Sequence, residues 1–382
     1  MRDLVHQLPA SLIREIANGA MHRADVLGLW FGESDLPTDP VICAAAAESL
    51  ARGETFYAAN LGIEPLRAAI AAYQNGQHGG TSRADNIVVT VSGLNALLVA
   101  LSAVVDPGDE VITLTPGWPN IAAIPQLLGA SVTLAELQLE GGRFELDVEA
   151  LIASTGPRTR AVLLNSPHNP TGWQMPAKQV RRLAEALDER GIWLIADEVY
   201  ARMVHEGAHA SFLPLFDDRR RIIIVNSFSK TWAMTGWRLG WLTVPAGLGG
   251  QFAKLMEFNT SCAPVFVQRG GIAAIEQGEP FVARQRARLR EGRAAVLRTL
   301  GDHPLVRLPD MGATFYAFPR IEGLTDGAGF ARHAIDSIGV GIAPGEAFGE
   351  AGRGFIRICY GRDPQVVETA CRRLAGLLDR RV

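Results

Sequence analysis

Five short, almost unbroken apolar runs, at 87–91, 110–114, 160–164, 192–196 and 222–225, alternate with helix-like stretches and turn residues. A strand with one wet face alternates apolar and polar residues, whereas a strand apolar throughout is covered on both faces. Such strands interleaved with helices call for a parallel sheet between two helical layers. The helical stretches include 94–105, closed by Asp106-Pro107-Gly108-Asp109, and about 177–190. Upstream, 11–21 has helical spacing with Ser11 as N-cap, and 40–52 is alanine-rich. Past Glu279 the texture changes to a long arginine-rich helix (281–300), short strands at 314–318, 339–342 and 355–359, and a terminal helix at 364–378. The expected architecture is α/β. A large domain (41–278) holds a mostly parallel sheet flanked by helices, and a smaller α+β domain (279–382) packs with an N-terminal helix and loop (1–40).

Several classes of function are disfavoured at once. Thirty-seven basic against 40 acidic residues give a net charge of −3, with no electrostatic footprint for nucleic acid. No apolar run has the length of a membrane span, and the acidic Asp3 and Glu15 do not suit a signal peptide. The four cysteines, Cys43, Cys262, Cys359 and Cys371, are too scattered for a disulfide framework or a metal site, so a reducing cytoplasmic setting is expected. Only three lysines occur, Lys178, Lys230 and Lys254. The first and last lie in helical patterns and read as surface residues.

In open α/β sheets ligands bind beyond the carboxyl ends of the strands, so the residues that follow each run matter most. They are Ser92-Gly93-Leu94 opening a helix, Trp118, the stretch Asn165 to Gly172, Asp197-Glu198-Val199-Tyr200, and Ser227-Phe228-Ser229-Lys230 with Arg238 beyond. The inventory is a phosphate cradle, an aromatic plate, an amide, a carboxylate, a phenol, an amine and an arginine. It suits a flat, phosphorylated, aldehyde-bearing ring, and pyridoxal 5′-phosphate fits. A lysine amine condenses with the aldehyde, and a carboxylate beside the pyridine nitrogen keeps it protonated.

The run from Ser227 to Gly240, Ser-Phe-Ser-Lys-Thr-Trp-Ala-Met-Thr-Gly-Trp-Arg-Leu-Gly, resembles the lysine signature of the class I/II pyridoxal-phosphate aminotransferases, of fold type I. The resemblance extends through Asn165 to Gly172 (Asn-x-x-x-Asn-Pro-x-Gly), Asp197 to Tyr200 (Asp-Glu-x-Tyr), and Tyr57, Gly62, Leu66 and Arg67. It continues in Pro344-Gly345-Glu346-Ala347-Phe348-Gly349 and Phe355-Ile356-Arg357. It covers nearly the whole chain, and the ordered set of motifs is far more specific than any one of them.

The resemblance implies roles. Lys230 forms the internal aldimine and then shuttles a proton between substrate Cα and cofactor C4′. Asp197 pairs with the pyridine nitrogen, while Tyr200 and Asn169 hydrogen-bond the ring hydroxyl. Ser92, Gly93 and Leu94 at a helix N-terminus, with Ser227, Ser229 and Arg238, hold the phosphate. Trp118 stacks on the ring, and Tyr57 reaches the phosphate of a neighbouring subunit, which implies a homodimer. Arg357 takes the substrate α-carboxylate, and Gly32 lines the same end. His168 reads as structural.

The implied reaction is ping-pong transfer of an amino group between an α-amino acid and a 2-oxo acid. A C–S β-lyase on the same scaffold is the alternative, and a cofactor-sensing regulator lacks room for a DNA-binding domain before Gly32. Two departures stand out. Leu94 replaces a lysine found in some aspartate-type members, and no arginine in 259–270 clearly takes the other position for a side-chain carboxylate, which makes aspartate specificity doubtful. The stretch Asp310-Met311-Gly312-Ala313-Thr314-Phe315-Tyr316 is a variant of the usual Pro-x-Gly-Ala-Phe-Tyr.

Overall fold

A computed structural model describes residues 3–8 and 10–380. Its centre is an eight-stranded sheet in the spatial order Ile87–Thr90, Gly240–Thr243, Ile222–Ser227, Trp193–Asp197, Thr159–Asn165, Glu110–Thr115, Ser131–Glu140, Arg143–Leu146. The strands from Ile222–Ser227 through Ser131–Glu140 run parallel. Gly240–Thr243 is antiparallel to both its neighbours, and Arg143–Leu146 closes the far edge antiparallel.

The five expected strands are all present, each within about a residue or two of its expected limits. Burial explains why they were visible. Ile222 and Ile224 enter one core cluster while Ile223 and Val225 enter another on the opposite face. Side chains alternate across a strand, so both faces demand apolar residues. The three strands that were not foreseen lack this signal. Ser131–Glu140 and Arg143–Leu146 lie at the edge and alternate with exposed positions, and Gly240–Thr243 has four residues and begins on glycine.

The expected helices are present: Gly93–Val104 and Ala177–Glu189 pack on the sheet, Pro40–Ala51 packs on Val265–Gln277, and the arginine-rich Glu279–Leu300 packs mainly on the terminal helix Pro364–Asp379. The helix expected near the N-terminus is Leu12–Asn18, preceded by the short helix Asp3–Gln7, and its N-cap Ser11 accepts from Arg14 N–H at 3.3 Å. It buries Ile13, Ile16 and Ala17 in the same cluster as Phe330, Ala331 and Ile335. Just after it, Leu27–Gly28 pairs in parallel with Val340–Gly341. The N-terminal segment therefore packs against the C-terminal part of the chain, where Tyr316–Ala317, Ile356–Cys359 and Ala343–Pro344 form a three-stranded antiparallel sheet.

Candidate active site

The parallel strands deliver their functional residues to one edge. Asn165 and Asp197 are register partners at the carboxyl ends of adjacent strands. Asn165 then fixes its neighbours: its Nδ2 donates to the Asp197 carbonyl at 3.1 Å, and its Oδ1 accepts from the Asn169 N–H at 2.9 Å. The sequence reading gave Asn165 no role of its own, and the structure makes it the clamp between two site residues.

Asp197 is buried, and among the described residues its carboxylate accepts only a backbone N–H, that of Val199 at 3.3 Å. Burial lifts its pKa to about 7. A carboxylate so placed is a ready partner for a cationic ring N–H, whose charge would draw the pKa back down.

Beyond the next strand, Ser227 caps the one-turn helix Phe228–Thr231 by accepting from Ser229 N–H at 3.1 Å. That turn carries Lys230 into the interior. Its Nζ donates to the Gly32 carbonyl at 2.7 Å and lies 5.8 Å from the centre of the Tyr200 ring. Burial lowers the amine to about 8. A lysine this close to neutral is a competent nucleophile towards an aldehyde. Lys178 and Lys254 are exposed on helices.

The expected phosphate cradle is a tight junction. Ser92 accepts from Asn95 N–H at 3.0 Å and opens the helix Gly93–Val104. A Cβ on Gly240 would lie 2.6 Å from the Ser92 carbonyl carbon and 2.7 Å from Gly93 N. The strand thus needs glycine there for the helix N-terminus to seat. Ser227 and Ser229 share a 3.0 Å hydroxyl–hydroxyl bond beside it. Helix N-terminal N–H groups and paired hydroxyls are a donor set suited to a phosphate dianion.

At the other end Arg357 is buried between the faces of Tyr316 and Phe348, at 4.5 and 4.8 Å from the ring centres. Its Nη1 donates to Asn169 Oδ1 at 2.9 Å and its Nη2 to the Trp30 carbonyl, while its buried Nε has no partner. The Asn169 Nδ2 has no partner among the described residues, so that amide still has its donor for a ligand.

Other expected site residues stand apart. Arg238 is exposed and donates to the Thr235 carbonyl at 2.6 Å, with no bond to Ser227 or Ser229. Tyr57 is 91% exposed and makes no contact with its own chain's cradle. Leu94 is 37% exposed. Trp118 is partly buried and heads the helix Pro119–Leu127. His168 is buried and bonded to Thr171 Oγ1 at 2.9 Å, and burial drives its pKa to about 3, in line with a structural role.

The variant stretch at 310–316 has a defined place. Thr314 is fully buried with φ at +66°, unfavourable for a β-branched residue, and is held by its N–H to the Met203 carbonyl at 2.6 Å. This locks the segment after Tyr200 to the stretch that ends in Tyr316. The Tyr200 and Tyr316 hydroxyls meet at 2.8 Å. Tyr316 is the main residue the sequence reading passed over. Its signal was position alone, at the end of that variant stretch.

The residues present fit pyridoxal 5′-phosphate. They offer a near-neutral amine, a buried carboxylate without a cationic hydrogen-bond partner, an amide with a free donor, and a helix N-terminus flanked by hydroxyls. Among the described residues no cluster of His, Cys, Asp and Glu suits a metal, all four cysteines are unpaired, and no helix is long and apolar enough to cross a membrane.

Residues 25–374 match the protein-family model described as "Aminotransferase class I and II". The arginine–pyruvate transaminase AruH of Pseudomonas aeruginosa is 35% identical over 92% of this chain and 89% of its own length. An aspartate aminotransferase of Pyrococcus abyssi is 33% identical over 99% of this chain and 98% of its own. Among solved structures, an aminotransferase from Mycobacterium tuberculosis superposes with a TM-score of 0.92 at 31% identity, covering 98% of each chain. The maleate-bound aspartate aminotransferase of Thermus thermophilus gives 0.91 at 29% identity, covering 99% of each chain.

Proposed function

The chain belongs to the class I and II aminotransferase family and is a transaminase, and from that premise we propose that it works through pyridoxal 5′-phosphate carried on Lys230. The observation that bears most weight is the pair formed by Lys230 and Asp197. The amine is held near neutrality by burial, and a buried carboxylate at the neighbouring strand end awaits a cation. When bound, the cofactor supplies an electron-withdrawing ring that takes up the charge left on the substrate carbon.

This chain's residues do the rest. Asp197 holds the ring nitrogen's proton, and Tyr200 and Asn169 donate to the ring hydroxyl. The N-terminus of Gly93–Val104, with Ser92, Leu94, Ser227, Ser229 and the Arg238 side chain swung inward, binds the phosphate. Trp118 covers one ring face. Arg357 orients the substrate through its α-carboxylate, with Gly32 beside it, and the freed Lys230 amine takes the proton from Cα. The strands that carry these groups are buried on both faces, which keeps the geometry fixed.

The substrate we favour is an α-amino acid without an acidic side chain, paired with a 2-oxo acid. Leu94 offers no charge, and Arg269 is held by Glu54 through Nε at 3.0 Å and Nη2 at 3.1 Å. We also read the protein as a cytoplasmic homodimer in which Tyr57 of one subunit serves the phosphate of the other. On this reading 279–382 is the smaller domain, with the N-terminal helix and loop of 1–40 packing against it, and 41–278 is the larger.

A half-reaction screen tests the proposal. With an amino acid alone the cofactor spectrum should change once and stop, and a 2-oxo acid should restore it. Steady release of ammonia and pyruvate with no acceptor would instead support the lyase reading.

A further inference from the structure

We propose that Tyr316 is a positioning residue that donates its hydroxyl proton to Tyr200 and thereby turns Tyr200's own proton toward the cofactor ring. The inference rests on the functional reading above and deepens it at a residue outside the expected motif roles.

Each phenol has one proton and each oxygen can also accept. The two hydroxyls, both buried, meet at 2.8 Å, and among the described residues neither has another hydrogen-bond partner. One proton therefore lies between them and the other is free to point elsewhere. Surroundings decide which. The Arg357 guanidinium lies 4.5 Å over the Tyr316 ring, and a cation over the π-face stabilises negative charge on the phenol oxygen. Arg357 also acts on Tyr200 but does not cover its ring, and the Asp197 carboxylate near Tyr200 acts in the opposite sense, as Glu33 does more weakly on Tyr316. The Lys230 amine also faces Tyr200, but at 5.8 Å, and it would be engaged by the cofactor once loaded. Tyr316 is thus the more acidic phenol, and the more acidic partner donates.

Register and packing make the arrangement specific. Tyr316 pairs with Cys359 in antiparallel register, which places Arg357, two residues earlier on the same face, diagonally across from it. A Cβ on Gly32 would sit 1.8 Å from the Tyr316 hydroxyl. The backbone there closes over that hydroxyl, and among the described residues Tyr200 is its one hydrogen-bond partner. A donated proton also polarises Tyr200 and strengthens its own donation, as in any hydrogen-bonded chain.

The chain has five tyrosines, few enough for ζ-carbon-13 tyrosine labelling to resolve each one. The test compares Tyr316→Phe with Tyr360→Phe. Tyr360 is also buried, and its hydroxyl bonds to His205 Nε2 at 2.9 Å and to the Thr314 carbonyl at 3.2 Å, away from Tyr200. In the apoenzyme, Tyr316→Phe should move the Tyr200 signal at neutral pH and Tyr360→Phe should leave it in place. In the loaded enzyme, Tyr316→Phe should raise the pH midpoint of the cofactor's absorbance change by about one unit, the scale of one hydrogen bond, because a ring oxygen given a weaker bond is more basic. An unmoved Tyr200 signal, an unmoved or lowered midpoint, or equal effects from both variants would overturn the proposal. A wild-type protein that takes up no cofactor would sink the functional reading itself, and the isotope signal would then decide the phenol pairing alone.

Discussion

Asn169 and Arg357 lie 188 residues apart and are joined by a 2.9 Å hydrogen bond from Nη1 to Oδ1. The bond ties the loop after a strand of the large sheet to the middle strand of the C-terminal sheet. It also leaves the Asn169 Nδ2 donor and the Arg357 Nε without partners among the described residues. A substrate carboxylate bound by Arg357 and a ring hydroxyl bound by Asn169 would thus be set at a fixed separation by one contact.

Replacing Arg357 with lysine should raise KM for the amino acid by about 10- to 100-fold, the scale of a lost charge-assisted hydrogen bond. The ammonium cannot make a forked contact or fill the slot between Tyr316 and Phe348. Steady-state kinetics across several amino acids check this. An unchanged KM would place the carboxylate elsewhere.

Lys230→Ala should abolish transamination and leave the fold intact. Borohydride reduction of the loaded protein followed by peptide mapping should label Lys230, and a label on Lys178 or Lys254 would contradict the assignment. Because burial lowers the Lys230 amine to about 8, the rate at which apoenzyme captures the aldehyde should climb with pH and level off above about 8. A rise that continued toward the ordinary lysine range near 10.5 would mean an exposed amine.

How much of this was legible beforehand follows from burial. The central strands announced themselves because both faces are covered, and their ends located Asp197, Asn169 and Lys230. The strand Ser131–Glu140, next to the sheet edge, alternates like a loop with polar residues and did not. Asn165 and Tyr316 act on other protein groups, through a carbonyl and through a phenol from the far end of the chain. Local sequence does not encode such pairings. Tyr57 is a different case: its motif was readable, but its exposed side chain has no work within one subunit.

Three large aromatic residues, Phe56, Tyr57 and Phe258, are 84%, 91% and 90% exposed. Their segments are linked by Ala58 N–H to Cys262 Sγ at 3.3 Å and Asn60 Nδ2 to Glu257 Oε2 at 2.8 Å. Exposed aromatic side chains gathered in this way mark an interaction surface. Sedimentation at micromolar concentration should give a dimer, and Tyr57→Phe should weaken cofactor binding several-fold. A fully active monomer would refute the shared site.

Asp197→Asn gives the most discriminating pair of measurements. In the loaded enzyme the carboxylate matters most as charge develops on the substrate, so kcat should fall by more than ~3 kcal/mol in barrier while the phosphate contacts keep the cofactor bound. In the apoenzyme the sign is opposite. Burial raises the pKa of this carboxyl from the ordinary aspartate value of 3.8 to about 7. The folded state therefore holds a proton that the unfolded state releases as pH rises above about 4. This group's stabilisation is complete below that pH and is lost as pH rises through about 7. The loss amounts to roughly 4 kcal/mol over the whole range at about 1.4 kcal/mol per pKa unit, of which about 3 kcal/mol falls between pH 5 and pH 8. Asparagine has no proton to lose, so the variant apoenzyme should lack that slope and be the more stable protein at pH 8. Denaturant titrations of both apoenzymes at pH 5 and pH 8 check this. Equal slopes would show that Asp197 is solvated and charged throughout, and its role as the buried partner of the ring nitrogen would fall with it.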